Sequence, residues 1–197
     1  MRCHRRSKAE LRSRVVARTF VAVLMAAAPW PPATALAASR NPTLPGNKDL
    51  ILQISAGLYV DNLAVHTALL GAYRRFASPE CRKVLSDFTD RSGLALQENL
   101  NATGETAQDY LGQLSYANGR DRGLCKRGDI AAFTTVGGRI VYICPRFTKM
   151  FLTMRPGERE DMEIDVIHEV LHTLGLGENP PSSEEITKRV RGRCGDR

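Results

Sequence analysis

Beyond its first forty residues this chain has no apolar run approaching 18 residues, so nothing there is built to cross a membrane as a helix. No two cysteines stand in a CxxC spacing, which argues against a structural zinc site made of thiolates. Internal repeats are absent, and so are low-complexity tracts outside one Pro/Gly-containing stretch. No cysteine follows the N-terminal apolar segment where a lipid anchor would need one, and Arg5-Arg6 does not continue into a twin-arginine signal. A surplus of charge is also missing once the N-terminus is set aside. The whole chain has 28 basic and 21 acidic residues, but residues 1–37 hold seven of the former and one of the latter. The remainder has a net charge of +1, so neither a nucleic-acid partner nor a membrane-surface partner is expected.

What the N-terminus does contain reads as an export signal. Arg2, Arg5, Arg6, Lys8, Arg12, Arg14 and Arg18 form a positive region. An apolar run from Phe20 to Ala28 follows, then small residues with cleavage options after Ala35 or Ala37. Residues 1–37 are therefore expected to be a signal peptide, 38–50 a linker with Pro42, Pro45 and Gly46, and 51–197 one domain. The predicted location is secreted or periplasmic. Cys81, Cys125, Cys144 and Cys194 lie in that domain and suggest two disulfides, with three connectivities open. The favoured pairing is Cys81–Cys125 and Cys144–Cys194, the second tying the strand before the main motif to the last helix.

The expected fold class is α+β, mainly helical. Leu63, His66, Leu69, Leu70 and Tyr73 mark one side of a helix over residues 58–76. Ser78-Pro79-Glu80 opens a short helix through Phe88, and another is expected between Gly104 and Tyr116. Ala131–Val136 and Arg139–Cys144 flank Gly137-Gly138 and predict an antiparallel hairpin with a two-residue turn. Residues 145–154 read as a crossover, and Arg155-Pro156-Gly157 as a turn. A helix then starts near Glu158, with Glu158, Glu160, Asp161, Glu163 and Asp165 in its first turns, where the helix dipole favours negative charge. Ile164, Ile167, Leu171 and Leu174 form its core stripe, and Gly175 ends it.

The chemistry lies in that helix. His168-Glu169-Val170-Leu171-His172 puts two imidazoles four residues apart, about 40° around the helix, so both can hold one Zn²⁺. Glu169 stands where a carboxylate can take a proton from a zinc-activated water. Glu178 is the first candidate for the third ligand, because three residues past the helix end reach up to about 10 Å. Glu185 is the rival, although Ser182-Ser183-Glu184-Glu185 also reads as a capping box.

The longer pattern, His168-Glu169-x-x-His172-x-x-Gly175-x-x-Glu178, resembles the zincin metallopeptidases and in particular the metzincin motif. It departs from that motif at Glu178, where the family has His or Asp, and no methionine follows Met162 to make a methionine turn. The resemblance implies a zincin-like fold, with His168 and His172 as ligands, Glu169 as general base and one catalytic zinc. It also implies that the strand Arg139–Cys144 pairs with an extended peptide or protein substrate; Tyr142 on it is a conceivable oxyanion donor. The leading expectation is an exported zinc peptidase. A zinc amidase on cell-wall peptide and a non-catalytic, zinc-stabilised binding protein are the alternatives.

Overall fold

The computed structural model describes residues 53–196; the expected signal peptide and the whole expected linker lie outside the described residues. Within this range the domain is α+β, with seven α-helices and one four-stranded sheet. The chain opens on β1 (Gln53–Ser55), then α1 (Tyr59–Ala77), α2 (Pro79–Arg82), α3 (Leu96–Thr103) and α4 (Ala107–Gln113). It continues through β2 (Ser115–Asn118), β3 (Ala132–Thr134), β4 (Ile140–Ile143), α5 (Pro145–Thr153), α6 (Glu158–Thr173) and α7 (Ser183–Cys194). None of these helices is long and apolar enough to cross a membrane.

The sheet order is β1-β2-β4-β3, with β1, β2 and β4 parallel and β3 antiparallel to β4. The small antiparallel hairpin expected ahead of α6 is corrected to one edge of this four-stranded mixed sheet, where β3 pairs with β4. Its strands are shorter than the 131–136 and 139–144 expected, and residues 135–139 connect them. The two-residue turn fails because Gly137 has another role: its N–H donates to the carbonyl of His172 at 2.9 Å, holding the connection against the end of α6. β1 and β2 are too short, at three and four residues, to leave a clear alternating pattern.

The helical core assembles on the inner face of the sheet, where Tyr116, Val141 and Ile143 are buried. Helix α1 turns a different face inward from the one expected. Ala64, Val65, Ala68, Leu69, Ala72 and Phe76 are buried, whereas Leu63 is 40% exposed. Small residues prevail on that face because α1 runs close to α6. A Cβ on Gly71 would sit 2.0 to 2.4 Å from the side chain of Glu163. That space lets Glu163 stay buried and bond to Arg75 at 2.7 Å. On α6 the stripe Ile164, Ile167, Leu171 and Leu174 is buried as its spacing requires. Each such side chain stabilises the fold by about 1.5–3 kcal/mol relative to exposure.

The disulfide pairing expected from sequence is corrected in full. Cys81 joins Cys194, with 4.4 Å between Cα atoms, and Cys125 joins Cys144, with 5.1 Å. The reason is where α7 lies: its C-terminal end comes back beside α2, away from the end of β4. Cys144 instead meets the turn at Cys125–Arg127 that leads into β3. In the loop-entropy model these bridges restrict the unfolded chain by about 5 and about 3 kcal/mol. The longer loop still encloses the whole histidine motif.

Candidate metal centre

The C-terminal end of α6 is built so that the chain reverses directly under its two histidines. Gly175 has φ +109°, a conformation an L side chain rarely adopts, and a Cβ there would lie 3.1 Å from Asp90. The N–H of Gly175 donates to the carbonyl of His172 at 3.0 Å, and the N–H of Leu176 to Leu171 at 3.1 Å. These are the paired bonds of a Schellman stop, with buried Leu171 and Leu176 as its apolar contact. Asn99 on α3 closes the end by donating to the carbonyl of Leu174 at 2.9 Å and to Asp90 at 3.0 Å.

That reversal carries Glu178 back over the helix. Glu178 Oε1 lies 3.4 Å from His172 Nε2 and 3.8 Å from His168 Nε2, and the two Nε2 atoms are 3.0 Å apart. Three donor atoms on four-coordinate zinc at about 2.0–2.1 Å stand about 3.3–3.4 Å from one another. The observed triangle brackets that edge, so the three atoms could hold a metal ion together. Among the described residues this is the one group of three His, Cys, Asp or Glu able to hold a metal ion together.

Both imidazoles are aimed by their other nitrogens. His172 Nδ1 faces the carbonyl of Leu176 at 2.8 Å, which can only accept, so Nδ1 carries the proton and Nε2 presents a lone pair. His168 Nδ1 meets the hydroxyl of Thr187 on α7 at 2.9 Å. Burial, with His172 alongside, pushes His168 down to about 3, so its imidazole is neutral.

Glu169 sits between the histidines on the cleft side. It is 7% exposed, and its Oε2 has no hydrogen-bond partner among the described residues. Burial pushes its carboxyl up to about 8, with Asp165 and Glu178 adding to the rise and the backbone N–H of Thr134 opposing it. The cleft over it holds about 610 Å³ and runs between β3 and the loop after α6, past Arg91, Leu124, Phe133 and Thr134.

Glu185, the rival ligand, is turned away from the histidines. Its Oε2 accepts from the Ser182 N–H at 2.8 Å and hydroxyl at 2.9 Å, while Ser182 Oγ accepts from the Glu185 N–H. It is the third residue of the α7 capping box and nothing more is asked of it. His66 on α1 also lies outside the group. Tyr142 stacks on Phe133 and lies under the Arg122 guanidinium on the outer face of the sheet, so it is no oxyanion donor here.

The expected substrate strand is corrected as well. β4 is paired on both sides, by β2 and by β3, and the free edge toward the cleft belongs to β3. The Cys144 N–H donates to Ala131 at 2.9 Å, so by alternation the backbone groups of Ala132 and Thr134 point away from β4. Thr187, the Leu176 carbonyl and the Thr134 N–H were missed by sequence reasoning; of these only Thr187 left a trace, beside the apolar stripe of Ile186, Val190 and Cys194. Compared with family models, with curated proteins and with solved structures, the chain gives no match.

Proposed function

We propose that this chain is an exported zinc-dependent peptidase, zincin-like in its chemistry, acting on peptide or protein substrates. The observation that carries the reading is Glu169: a buried carboxylate whose Oε2 has no partner, beside three converging donor atoms in an open cleft. A zinc held only for structure is normally closed by four protein ligands, whereas three donors come together here. His168, His172 and Glu178 would hold the ion. Zinc, when bound, supplies Lewis acidity to a water and to the scissile carbonyl.

The chain's own groups do the rest. Glu169 takes the proton of the attacking water at Oε2 and passes it to the leaving amine. A cation held by the neighbouring histidines would favour the ionised form of Glu169, the form that accepts the proton. The outward backbone groups of Ala132 and the outward carbonyl of Thr134 offer a substrate strand an edge to pair with. Two disulfides fit an oxidising compartment, in keeping with export.

The test is hydrolysis of casein and of quenched fluorescent peptides by the zinc-loaded protein, with Glu169→Gln alongside. The amide cannot accept the proton, so the variant should bind zinc and melt like the parent yet lose at least about a hundredfold in turnover. A zinc-replete parent that leaves peptides intact while releasing amides from cell-wall fragments would move the substrate to that class. Turnover unchanged in Glu169→Gln would remove Glu169 as the base.

A further inference from the structure

A second pocket opens beside Glu169, between the lead into β3 and helices α6 and α7, with about 230 Å³ of space. That is several times the volume share of a water molecule, about 30 Å³, and is enough for an extended side chain. Its walls are of two kinds. Ile130, Ala131 and Ala132 line one side and give an apolar surface at the free edge of the sheet. Asp165 lines the other, one helical turn before Glu169 and on the same face of α6.

Asp165 makes no hydrogen bond or ion pair among the described residues. Arg146 and Arg191 favour its ionised form from a distance, but neither reaches hydrogen-bond or ion-pair contact with it. Asp129, in the same pocket, is engaged by Arg127 at 3.2 Å, and Arg146 lines the pocket without pairing to Asp165. Glu169 also lines this pocket, with its Oε2 buried and without a donor among the described residues. A carboxylate without a donor at one end of an apolar-walled pocket calls for a cation on a carbon stem: the stem lies on the alanines and isoleucine while the charge meets Asp165.

We propose that this pocket is a subsite for a cationic group of the substrate, the ammonium or guanidinium of a residue next to the bond attacked, with Asp165 as its specificity-determining partner. A chain paired with β3 at Ala132 has its backbone at the mouth of the pocket, so one of its side chains enters beside Glu169. The subsite rests on the peptidase reading, and binding is therefore measured apart from cleavage.

The probes are short peptide hydroxamates, in which each position in turn is lysine, arginine, norleucine or glutamate, made with free and with acetylated N-termini. They are titrated calorimetrically against zinc-loaded parent, Asp165→Asn and Asp165→Glu, each first matched for zinc content and melting temperature. At one position the parent should prefer lysine or arginine over norleucine by about tenfold or more, the size of one charge-assisted bond. In Asp165→Asn that preference should fall to within about twofold, and Asp165→Glu should keep most of it. Acetylation that abolishes the Asp165-dependent gain assigns the cation to the substrate's α-amine; a gain that survives it assigns the side chain. A parent with no preference for a cation, or a preference untouched in Asp165→Asn, overturns the subsite. Cation-selective binding without hydrolysis would overturn the peptidase reading alone.

Discussion

Thr187 Oγ1 stands 2.9 Å from His168 Nδ1, so a residue on α7 sets the orientation of the first histidine on α6. The two lie on different helices, and α7 is itself held by its capping box at one end and by the Cys81–Cys194 bridge at the other. The outer partner of a metal-binding imidazole fixes its tautomer and ring plane. Thr187→Val, close in shape but without the hydroxyl, should weaken zinc binding by about 10- to 100-fold, and Thr187→Ser should restore it. Competition with a chromogenic chelator reads this directly. Equal affinity in Thr187→Val and parent would show that the hydroxyl does not aim His168.

Glu178 and Glu185 are separated by one pair of variants. Glu178→Ala should release zinc, because two imidazoles alone hold it weakly, and so should His168→Ala or His172→Ala. Glu185→Ala removes a capping-box carboxylate and should cost about 1 kcal/mol of stability with zinc retained. Elemental analysis after chelator treatment and reloading, with a denaturation curve for each protein, checks both. Zinc lost from Glu185→Ala and kept in Glu178→Ala would reverse the assignment.

Acid should loosen α7 through Arg193, which bonds Asp87 at 2.7 Å and Glu80 at 2.6 Å. Hydrogen bonds from Lys83 and Arg193 hold Glu80 down to about 2, and Arg193 also lowers Asp87. Both carboxylates thus bind protons less readily folded than unfolded. The stability they give is present above about pH 4.5 and is lost as the pH falls towards about 2. Arg193→Gln should flatten that decline, so the gap in melting temperature between parent and variant should narrow from pH 5 to pH 2.5. A gap that stays constant over this interval would exclude the network as its source.

Peptide mapping under non-reducing conditions should recover Cys81 with Cys194 and Cys125 with Cys144. Replacing Cys81 and Cys194 by serine should destabilise the zinc site, since it frees the end of the helix that carries Thr187. Replacing Cys125 and Cys144 should act on the turn before β3 and on the edge of the cleft. Recovery of a Cys144–Cys194 peptide would contradict the course of α7 beside α2.

The histidine helix was legible because its information is local. Spacing of four residues, an apolar stripe and a stop glycine are properties of one helix, and Ser182 with Glu185 similarly announces the start of the next. Helix α1 was legible in extent but not in facing: its inner surface is the alanine side, chosen by how closely α6 must approach at Gly71. Strands of three or four residues leave too little pattern to read, so the sheet order, and with it the free edge at β3, came only from packing. Cysteine partners cannot be read from spacing at all, because a disulfide needs Cα atoms brought within about 4.4–6.8 Å by the whole fold. The same holds for Thr187 and Asp165. The sequence by itself determined which atoms can bind a metal and accept a proton. The tertiary structure decided which side chains aim those atoms and what lies beside them, since burial and orientation arise only when distant segments meet.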